Sequence, residues 1–381
     1  MYNDFVHFVQ GLYRTTEFIP LHEPCFAGNE KKYVNEALDS TFVSSVGKFV
    51  DQFEEMFAAY TGAKYAVAMV NGTAALHIAL KLVGVESGDE VITQPLTFVA
   101  TCNAISYCNA SPVFVDVDKD SLGLSPKKME LWLQDNTEIR DNTCINLSTG
   151  RVIRACVPMH TFGHPVRLME LQQLCDRYCI ELVEDAAESL GSLCAGKHTG
   201  TFGRVAAFSF NGNKTITTGG GGMLITDDEE LAKAAKHITT TAKIPHRWEY
   251  VHDQIGYNYR MPNINAALGC AQLEQLDDFI ANKRQLAERY GEFFKNSGIC
   301  FLSERSGTKA NYWLNVVQFE DQRQQRAFLS FTNDRGVMTR PVWQLMNHLP
   351  MFAACQSGNL ANAHWLEQCM VNIPSSVLVG D

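Results

Sequence analysis

The stretch AAFSFNGNKTITTGGGGMLIT, residues 206–226, places a lysine and four consecutive glycines between two short apolar runs. These runs, Ala206–Phe210 and Met223–Thr226, have the composition of buried β-strands. Too few residues separate them for a crossover helix, so we predict that one strand of the sheet is antiparallel. A lysine on a tight turn beside a glycine run can approach a flat ligand closely, although most lysines are solvated surface residues.

Upstream of this stretch the chain alternates between apolar, β-branched runs and helix-like segments. The further predicted strands are Tyr65–Val70, Glu90–Gln94, Pro112–Val117, Ile153–Met159 and Ile180–Glu184. The predicted helices between them are Thr73–Leu82, Val99–Tyr107, Pro126–Leu133 and Leu168–Tyr178. Such alternation is typical of an α/β fold with a mixed, mostly parallel seven-stranded sheet covered on both faces.

The pattern changes from Asn263 onwards. Apolar positions at helical spacing predict one long helix that ends near Gly298. A short β-rich segment (Tyr312–Phe319), a helix (Gln322–Asp334) and an extended piece (Val337–Trp343) follow. We therefore predict a large domain with an N-terminal arm over residues 1–262, and a smaller α+β domain over residues 263–381.

Composition excludes several classes of function. The net charge of −10 argues against a nucleic-acid partner, because phosphate backbones favour a basic face. No run of about 18 apolar residues is present, so no membrane span is expected. The first residues lack a basic leader, and the twelve cysteines are scattered without a CxxC pair. These features favour a cytoplasmic protein with reduced thiols.

Two further features lie at predicted strand ends. Asn71-Gly72-Thr73 joins a strand to a helix, where open backbone N–H groups would form an anion site. The alternative is a plain turn with Thr73 as a helix cap. Asp185, in VEDAAE at 183–188, follows an apolar strand and could meet a buried cationic ring nitrogen. A surface acid or a helix cap is the competing interpretation.

Together with Lys214, these features match the requirements of pyridoxal 5'-phosphate (PLP). This cofactor needs an amine for covalent attachment, an acid opposite its ring nitrogen and a cup for its phosphate. Phe98 is available to stack on the ring, with core packing as the equal alternative. The sequence therefore predicts a PLP enzyme.

The same residues carry a resemblance to a known family. The chain resembles the DegT/StrS sugar aminotransferases, which have the type I PLP-dependent transferase fold. The resemblance rests on the segments Asp51–Glu54, Asn71–Leu76, Glu184–Glu188, Ser209–Lys214, Thr217–Gly222 and Gly256–Met261. Related enzymes with histidine in place of the lysine are dehydratases, and Lys214 argues against that branch.

The resemblance implies a role for each matching position. Lys214 attaches the cofactor and shuttles the substrate proton, while Asp185 pairs with the ring nitrogen. Phe98 covers the ring, and Glu188 lies beside the cofactor where many relatives have glutamine. The phosphate would be held by Gly72, Thr73 and Ser209. Asn258 would reach the phosphate of the neighbouring subunit, which implies a homodimer with shared active sites.

A finer resemblance, to aminotransferases of legionaminic-acid and related bacillosamine-type pathways, rests on the segments Phe18–Pro24, Ser40–Phe49, Ser209–Thr215 and Thr339–Pro350. It implies that a nucleotide-linked 2-acetamido-4-keto-6-deoxyhexose becomes its 4-amino sugar with L-glutamate as donor. His160 is expected to line the site, with packing behind it as the alternative. Candidate substrate-binding cations, each with solvated charge or a structural ion pair as the alternative, are Lys243, Arg247, Arg260 and Arg340. Two other functions stay open: amination at carbon 3 of another nucleotide keto-sugar, and a non-catalytic PLP-binding sensor.

Overall fold

The computed structural model describes residues 1–378. Helices are distributed along this whole span. They are α1 (Tyr2–Tyr13), α2 (Glu30–Asp39), α3 (Lys48–Thr61), α4 (Gly72–Leu82), α5 (Val99–Tyr107), α6 (Pro126–Asn136), α7 (Leu168–Tyr178), α8 (Glu229–Thr239), α9 (Asn263–Leu273), α10 (Leu276–Phe294), α11 (Gln322–Asn333) and α12 (Ala361–Cys369). Short 3-10 turns lie at Thr161–Gly163 and Met346–His348.

The strands are short and belong to one large sheet and four smaller ones. They are β1 (Tyr65–Met69), β2 (Glu90–Thr93), β3 (Ser111–Phe114), β4 (Thr137–Arg140), β5 (Thr143–Asn146), β6 (Ile153–Val157), β7 (Glu181–Asp185), β8 (Leu193–Cys194), β9 (Lys197–His198), β10 (Val205–Ser209), β11 (Gly222–Thr226), β12 (Lys243–Ile244), β13 (Val251–His252), β14 (Cys300–Phe301), β15 (Thr308–Lys309), β16 (Asn315–Gln318), β17 (Arg340–Pro341) and β18 (Met370–Ile373).

The large sheet has seven strands in the order β1-β11-β10-β7-β6-β2-β3. Strand β11 runs antiparallel to both neighbours, and the remaining pairs are parallel. The predicted α/β class, the seven strands and the single antiparallel strand are therefore confirmed. Gly222, at the start of β11, pairs with Met69 of β1 and with Ser209 of β10. This register brings the carboxyl ends of β1 and β10 to one edge of the sheet.

Alternation along β10 shows how the sheet is covered on both faces. Ala206 and Phe208 pack into a core with α3, α9 and the start of α10. Val205 and Ala207 face the opposite core, which α4, α5 and α8 complete. Helices α6 and α7 cover the same face as α3 and α9, but over the other half of the sheet. Because neighbouring side chains of a strand point to opposite faces, the continuous apolar runs in the sequence correspond to doubly covered strands.

The prediction of one long helix after Asn263 is wrong. The segment forms two helices, α9 and α10, with a break at Glu274 and Gln275. The Gln275 N–H donates to the carbonyl of Gln272, three residues back, instead of four. Its side-chain amide donates to the Glu30 carboxylate on α2. Contacts to α2 therefore fix the end of α9, a tertiary effect that helical spacing alone does not reveal.

The C-terminal part contains an antiparallel four-stranded sheet, in the order β14-β16-β18-β17. Phe5 and Val9 of α1 pack against this sheet together with Tyr290 of α10 and Phe328 of α11. The first helix thus shares a core with residues beyond 262, whereas α9 shares a core with the large sheet. The domain boundary at residue 262 stays a prediction.

Two further expectations concern the chain as a whole. No helix within residues 1–378 is long and apolar enough to cross a membrane. All twelve cysteines, which lie within these residues, are free thiols, and most of them are buried in the cores.

Candidate active site

A cavity of about 250 Å³ lies at the edge of the large sheet where β1, β7 and β10 end. The loops after these three strands line one side of it, and Trp313 and Trp343 line the other. Ligands of open α/β sheets bind at the carboxyl ends of strands. The cavity brings together most of the predicted site residues, namely Gly72, Thr73, Phe98, Asp185, Glu188, Ser209 and Lys214.

Lys214 follows β10 on a tight turn, in which its N–H donates to the carbonyl of Asn211. Its ammonium lies 3.1 Å from a carboxylate oxygen of Glu188 and 3.9 Å from the ring centroid of Trp313. Only 12% of the side chain is exposed. The Trp313 indole N–H donates to the carbonyl of Asn213, so the indole is held against the lysine-bearing turn. The amine is thus positioned inside the cavity and away from bulk water.

Asp185 is the last residue of β7 and is buried. One carboxylate oxygen accepts a hydrogen bond from the Thr101 hydroxyl at 2.7 Å, and the other accepts one from the Ala187 N–H at 3.2 Å. Burial raises the pKa of Asp185 above its ordinary value, while these hydrogen bonds and the Lys214 charge act against that rise. A buried carboxylate of this kind can pair with a cationic ring nitrogen.

Glu188 completes a group of three ionisable side chains in the cavity. One oxygen contacts the Lys214 ammonium, and the other accepts a hydrogen bond from the Phe162 N–H at 2.9 Å. Burial raises the pKa of Glu188 to about 7, although the charge of Lys214 acts to lower it. Glu188 is therefore poised to change its protonation state near neutral pH.

The amino end of α4 forms the third part of the site. The Asn71 side chain caps the helix by accepting the Ala74 N–H, which leaves the first N–H groups of the helix open. A Cβ on Gly72 would lie 2.7 Å from Cβ of Ser209, and one on Gly222 would lie 2.4 Å from the Asn71 carbonyl oxygen. Gly72 thus permits close approach of the helix end to the Ser209 side chain, and Gly222 permits close approach of β11 to the Asn71 carbonyl. Such an end binds phosphate groups readily.

Aromatic rings form the outer wall of the cavity. Phe98 lies edge-to-face with Trp343 at a centroid distance of 6.1 Å, and 47% of Phe98 is exposed. Trp343 in turn contacts Phe162 at 4.9 Å. The exposure of Phe98 contradicts its alternative interpretation as a core residue, and its ring lines the cavity.

His160 does not line the cavity. It is buried behind β7, where its Nε2 lies 3.0 Å from the Glu184 carboxylate. Because the Val166 N–H donates to Nδ1, the proton resides on Nε2 and is donated to Glu184. Burial acts to raise the pKa of Glu184, but this hydrogen bond and two backbone N–H groups together lower it. The expectation that His160 lines the site is wrong, and its packing alternative describes the structure.

The remaining predicted residues lie outside the cavity as the described residues define it. Lys243 and Arg247 lie on the exposed hairpin of β12 and β13. Arg340 is exposed and donates to Asn333 at 3.0 Å. Arg260 is half-buried beside β1, and its Nε has no hydrogen-bond partner among residues 1–378. Asn258 is exposed. Within residues 1–378, these five side chains are therefore not part of the cavity that contains Lys214.

Local sequence patterns did not predict three residues of the site. Thr101 follows Phe98 by three residues, so both lie on one side of the start of α5. This spacing could have predicted Thr101 as a site residue. Trp313 and Trp343 lie in segments read only as extended structure in the C-terminal part. Their distance along the sequence from Lys214 left no local signal.

These residues fit PLP. An amine, a buried carboxylate and an open helix end with a hydroxyl line one cavity, and an exposed aromatic face borders it. Lys214 would hold the cofactor covalently, Asp185 would pair with its ring nitrogen, and Gly72, Thr73 and Ser209 would hold its phosphate. No cluster of metal-ligating side chains occurs in the part of the chain that the structure describes.

Comparisons with known proteins agree with this chemistry. GDP-perosamine synthase from Escherichia coli O157:H7 is 39% identical over 337 residues, which cover 88% of each chain. GDP-perosamine synthase from Vibrio cholerae is 36% identical over 338 residues, 88% of this chain and 87% of the relative. The crystal structure of the aminotransferase TlmJ from Streptoalloteichus hindustanus superposes with a TM-score of 0.86 at 27% identity, covering 95% of this chain and 94% of that one.

The family profile extends over nearly the whole chain. The profile described as the DegT/DnrJ/EryC1/StrS aminotransferase family matches residues 24–381. The resemblance inferred from the strand-end motifs is thus confirmed at the level of the family, its fold and its cofactor. The chain belongs to the DegT/DnrJ/EryC1/StrS family of PLP-dependent sugar aminotransferases.

Proposed function

We propose that this enzyme transfers the amino group of L-glutamate to carbon 4 of a nucleotide-linked 4-keto-6-deoxyhexose and forms the 4-amino sugar. The observation that carries the proposal is the shared cavity of the Lys214 amine and the buried Asp185 carboxylate. Two relatives are named GDP-perosamine synthase, which supports a nucleotide-linked 4-amino sugar as product. The 2-acetamido substrate implied by the legionaminic-acid resemblance is a specific form of the same proposal.

The side chains of the cavity would have separate roles in this reaction. Bound PLP supplies a carbonyl group for the incoming amine and a ring that accepts electron density. Lys214, once its amine is free, would move a proton between a carbon of the substrate and a carbon of the cofactor. Its position against Trp313, with 12% of the side chain exposed, keeps Nζ within the cavity.

Asp185 has an electrostatic role in the same scheme. Its carboxylate would keep the ring nitrogen of the cofactor charged, which favours electron flow away from the substrate carbon. The Thr101 hydroxyl and the Ala187 N–H orient the carboxylate from behind. Because all of these partners come from well-packed elements, the charge is fixed before substrate arrives.

The nucleotide, the amino donor and the second subunit would contact residues outside the cavity. Lys243 and Arg247 on the β12–β13 hairpin are the proposed contacts for the diphosphate, with Arg340 as a further candidate. Arg260, whose Nε is buried and unpartnered among residues 1–378, is proposed to bind the carboxylate of glutamate. Asn258 is proposed to reach the phosphate site of a second copy in a homodimer.

A substrate panel tests the proposal. The purified enzyme is incubated with L-glutamate and a series of GDP- and UDP-linked 4-keto-6-deoxyhexoses, with and without a 2-acetamido group, and the products are examined by NMR. Formation of an amine at carbon 4 of at least one substrate is expected. Amination only at carbon 3 of a different keto-sugar would refute the proposed regiochemistry. Failure of L-glutamate to convert the bound cofactor to its amine form would favour a non-catalytic sensor.

A further inference from the structure

Glu188 is a buried carboxylate in direct contact with the amine that carries the reaction. Its side chain is 1% exposed, and Nζ of Lys214 lies 3.1 Å from one of its oxygens. The other oxygen accepts the Phe162 N–H. Both oxygens are therefore acceptors, and the carboxylate has no access to bulk water that could screen its charge.

The charges around Glu188 do not balance. Asp185 and Lys214 are the ionisable groups that face it, and His22 interacts with Lys214 from another side. The 3-10 turn at Thr161–Gly163 contributes a backbone N–H only. In the cofactor-free protein, with Asp185, Glu188 and Lys214 all ionised, two carboxylates share one ammonium in a buried space. Such a group of sites favours binding of one more proton.

Glu188 is the carboxylate better suited to take that proton. Asp185 accepts hydrogen bonds from Thr101 and from Ala187, which favour its ionised form. Glu188 has one backbone donor and the Lys214 ammonium itself. Burial raises the pKa of Glu188 to about 7, so the proton can be gained and lost near neutral pH.

We infer that Glu188 is a catalytic proton acceptor for Lys214, a role that rests on the proposed function. The Lys214 ammonium gives one proton to the adjacent Glu188 oxygen: an N–H bond breaks, an O–H bond forms, and no other reactant is needed. The neutral amine that results can remove a proton from the substrate. Glu188 later returns its proton to the lysine, which restores the starting state of the pair.

Glu188→Gln is the matched test, because glutamine keeps the volume of the side chain and one acceptor but cannot gain a proton. The first measurement uses cofactor-free protein and does not depend on turnover. Infrared difference spectra are recorded between about pH 5 and about pH 9, a range that lies above the ordinary pKa of glutamate, about 4.3, and spans the raised pKa of Glu188, about 7. The wild-type protein is expected to show a protonated carboxyl band that titrates near neutrality and is missing in Glu188→Gln.

The second measurement is the half-reaction with L-glutamate in the PLP-loaded enzyme. We expect Glu188→Gln to slow it by about 10²-fold, the lower end of the range for general acid–base groups. Its pH–rate profile should also lose the limb near neutrality. Glu230→Gln, on an exposed surface of α8, is the charge-removing control and should match the wild type.

The outcomes separate this inference from the proposed function. Identical infrared titrations of wild type and Glu188→Gln would overturn the proton-acceptor role, as would an unchanged pH–rate profile in the variant. If the wild-type enzyme itself does not react with L-glutamate, the proposed function fails. The infrared comparison in cofactor-free protein would still decide whether Glu188 takes the proton.

Discussion

The hydroxyl of Thr101 donates a 2.7 Å hydrogen bond to the carboxylate of Asp185, and both side chains are buried. Thr101 lies near the start of α5, whereas Asp185 ends β7, so the contact joins a helix to the central sheet. A second hydroxyl, that of Thr97, lies 2.7 Å behind the first. The ionised form of Asp185 is thus favoured from the side opposite the cavity.

Thr101→Val is expected to reduce turnover by about 10-fold, because hydrogen bonds to charged groups contribute about 1.5–3 kcal/mol and about 1.4 kcal/mol corresponds to a factor of ten. Valine keeps the shape of threonine but offers no donor, so the pKa of Asp185 should rise further. Steady-state rates measured across a range of pH test this. Thr101→Ser keeps a hydroxyl and should recover most of the rate. Equal rates for the valine variant and the wild type would show that the hydrogen bond has no catalytic effect.

Lys214→Ala should lose turnover by at least about 10³-fold, because covalent attachment of the cofactor and acid–base chemistry are removed together. The purified variant should also lack the visible absorbance that a lysine-bound cofactor gives. Absorbance spectra and the amination assay are the two measurements. Lys233→Ala, at an exposed position of α8, serves as the control. Retained transamination in Lys214→Ala would remove this residue from the mechanism.

Strand order alone determines where Asp185 and Lys214 lie. Asp185 and Lys214 each follow an apolar run, and parallel strands collect their carboxyl ends at one edge of a sheet. The prediction for His160 failed for a related reason. Glu184 and Asp185 are neighbours on β7, so their side chains point to opposite faces, and His160 pairs with the residue on the far face. Only the register of the neighbouring strands reveals which acid His160 meets.

The contribution of the C-terminal part could not be derived from local patterns. Trp313 lies 99 positions from Lys214 in the numbering of the chain, yet its ring covers the lysine at 3.9 Å. Trp343, also in the C-terminal part, contacts Phe98 at a centroid distance of 6.1 Å. Both contacts depend on how the four-stranded sheet packs against the large one. Residue type and spacing predict a strand at such a position but not its tertiary neighbour.

A homodimer with shared sites predicts subunit complementation. Asn258 is exposed and does not line the cavity of its own chain as residues 1–378 define it. Mixing Lys214→Ala with Asn258→Ala under conditions that exchange subunits should restore activity, because a mixed dimer contains one site with neither substitution. The recovered activity should approach about one quarter of the wild type, if exchange is random and the sites are independent. Absence of recovery in verified mixed dimers would indicate that each site is built from one chain.

Lys283 provides a test of stability that is independent of turnover. This residue is fully buried on α10, and its ammonium donates to the backbone carbonyls of Trp313 and Ser375. Burial lowers the pKa of Lys283 to about 7. The lysine thus supports the tryptophan that covers Lys214, and it does so at an electrostatic cost whenever it is protonated.

The sign of its pH dependence follows from proton binding. The pKa of a lysine in an unfolded chain is about 10.4. Between about pH 7 and about pH 10 the unfolded chain therefore holds more protons at this site than the folded chain. The free energy of unfolding should therefore rise with pH in this window by up to about 1.4 kcal/mol per pH unit from Lys283. Below the window both states are protonated, and the full cost of burying the charge remains.

Lys283→Met should abolish this contribution, because methionine fills a similar volume and does not titrate. Urea unfolding at about pH 7, about pH 8 and about pH 9, at equal protein concentrations, gives the free energies to compare. The free energy of unfolding of the wild type should increase relative to that of Lys283→Met as pH rises. The free energy of unfolding of Lys295→Met, a substitution at an exposed position, should change with pH as that of the wild type does. Parallel curves for wild type and Lys283→Met would show that the buried amine stays protonated throughout this pH range, so that burial does not lower its pKa as expected.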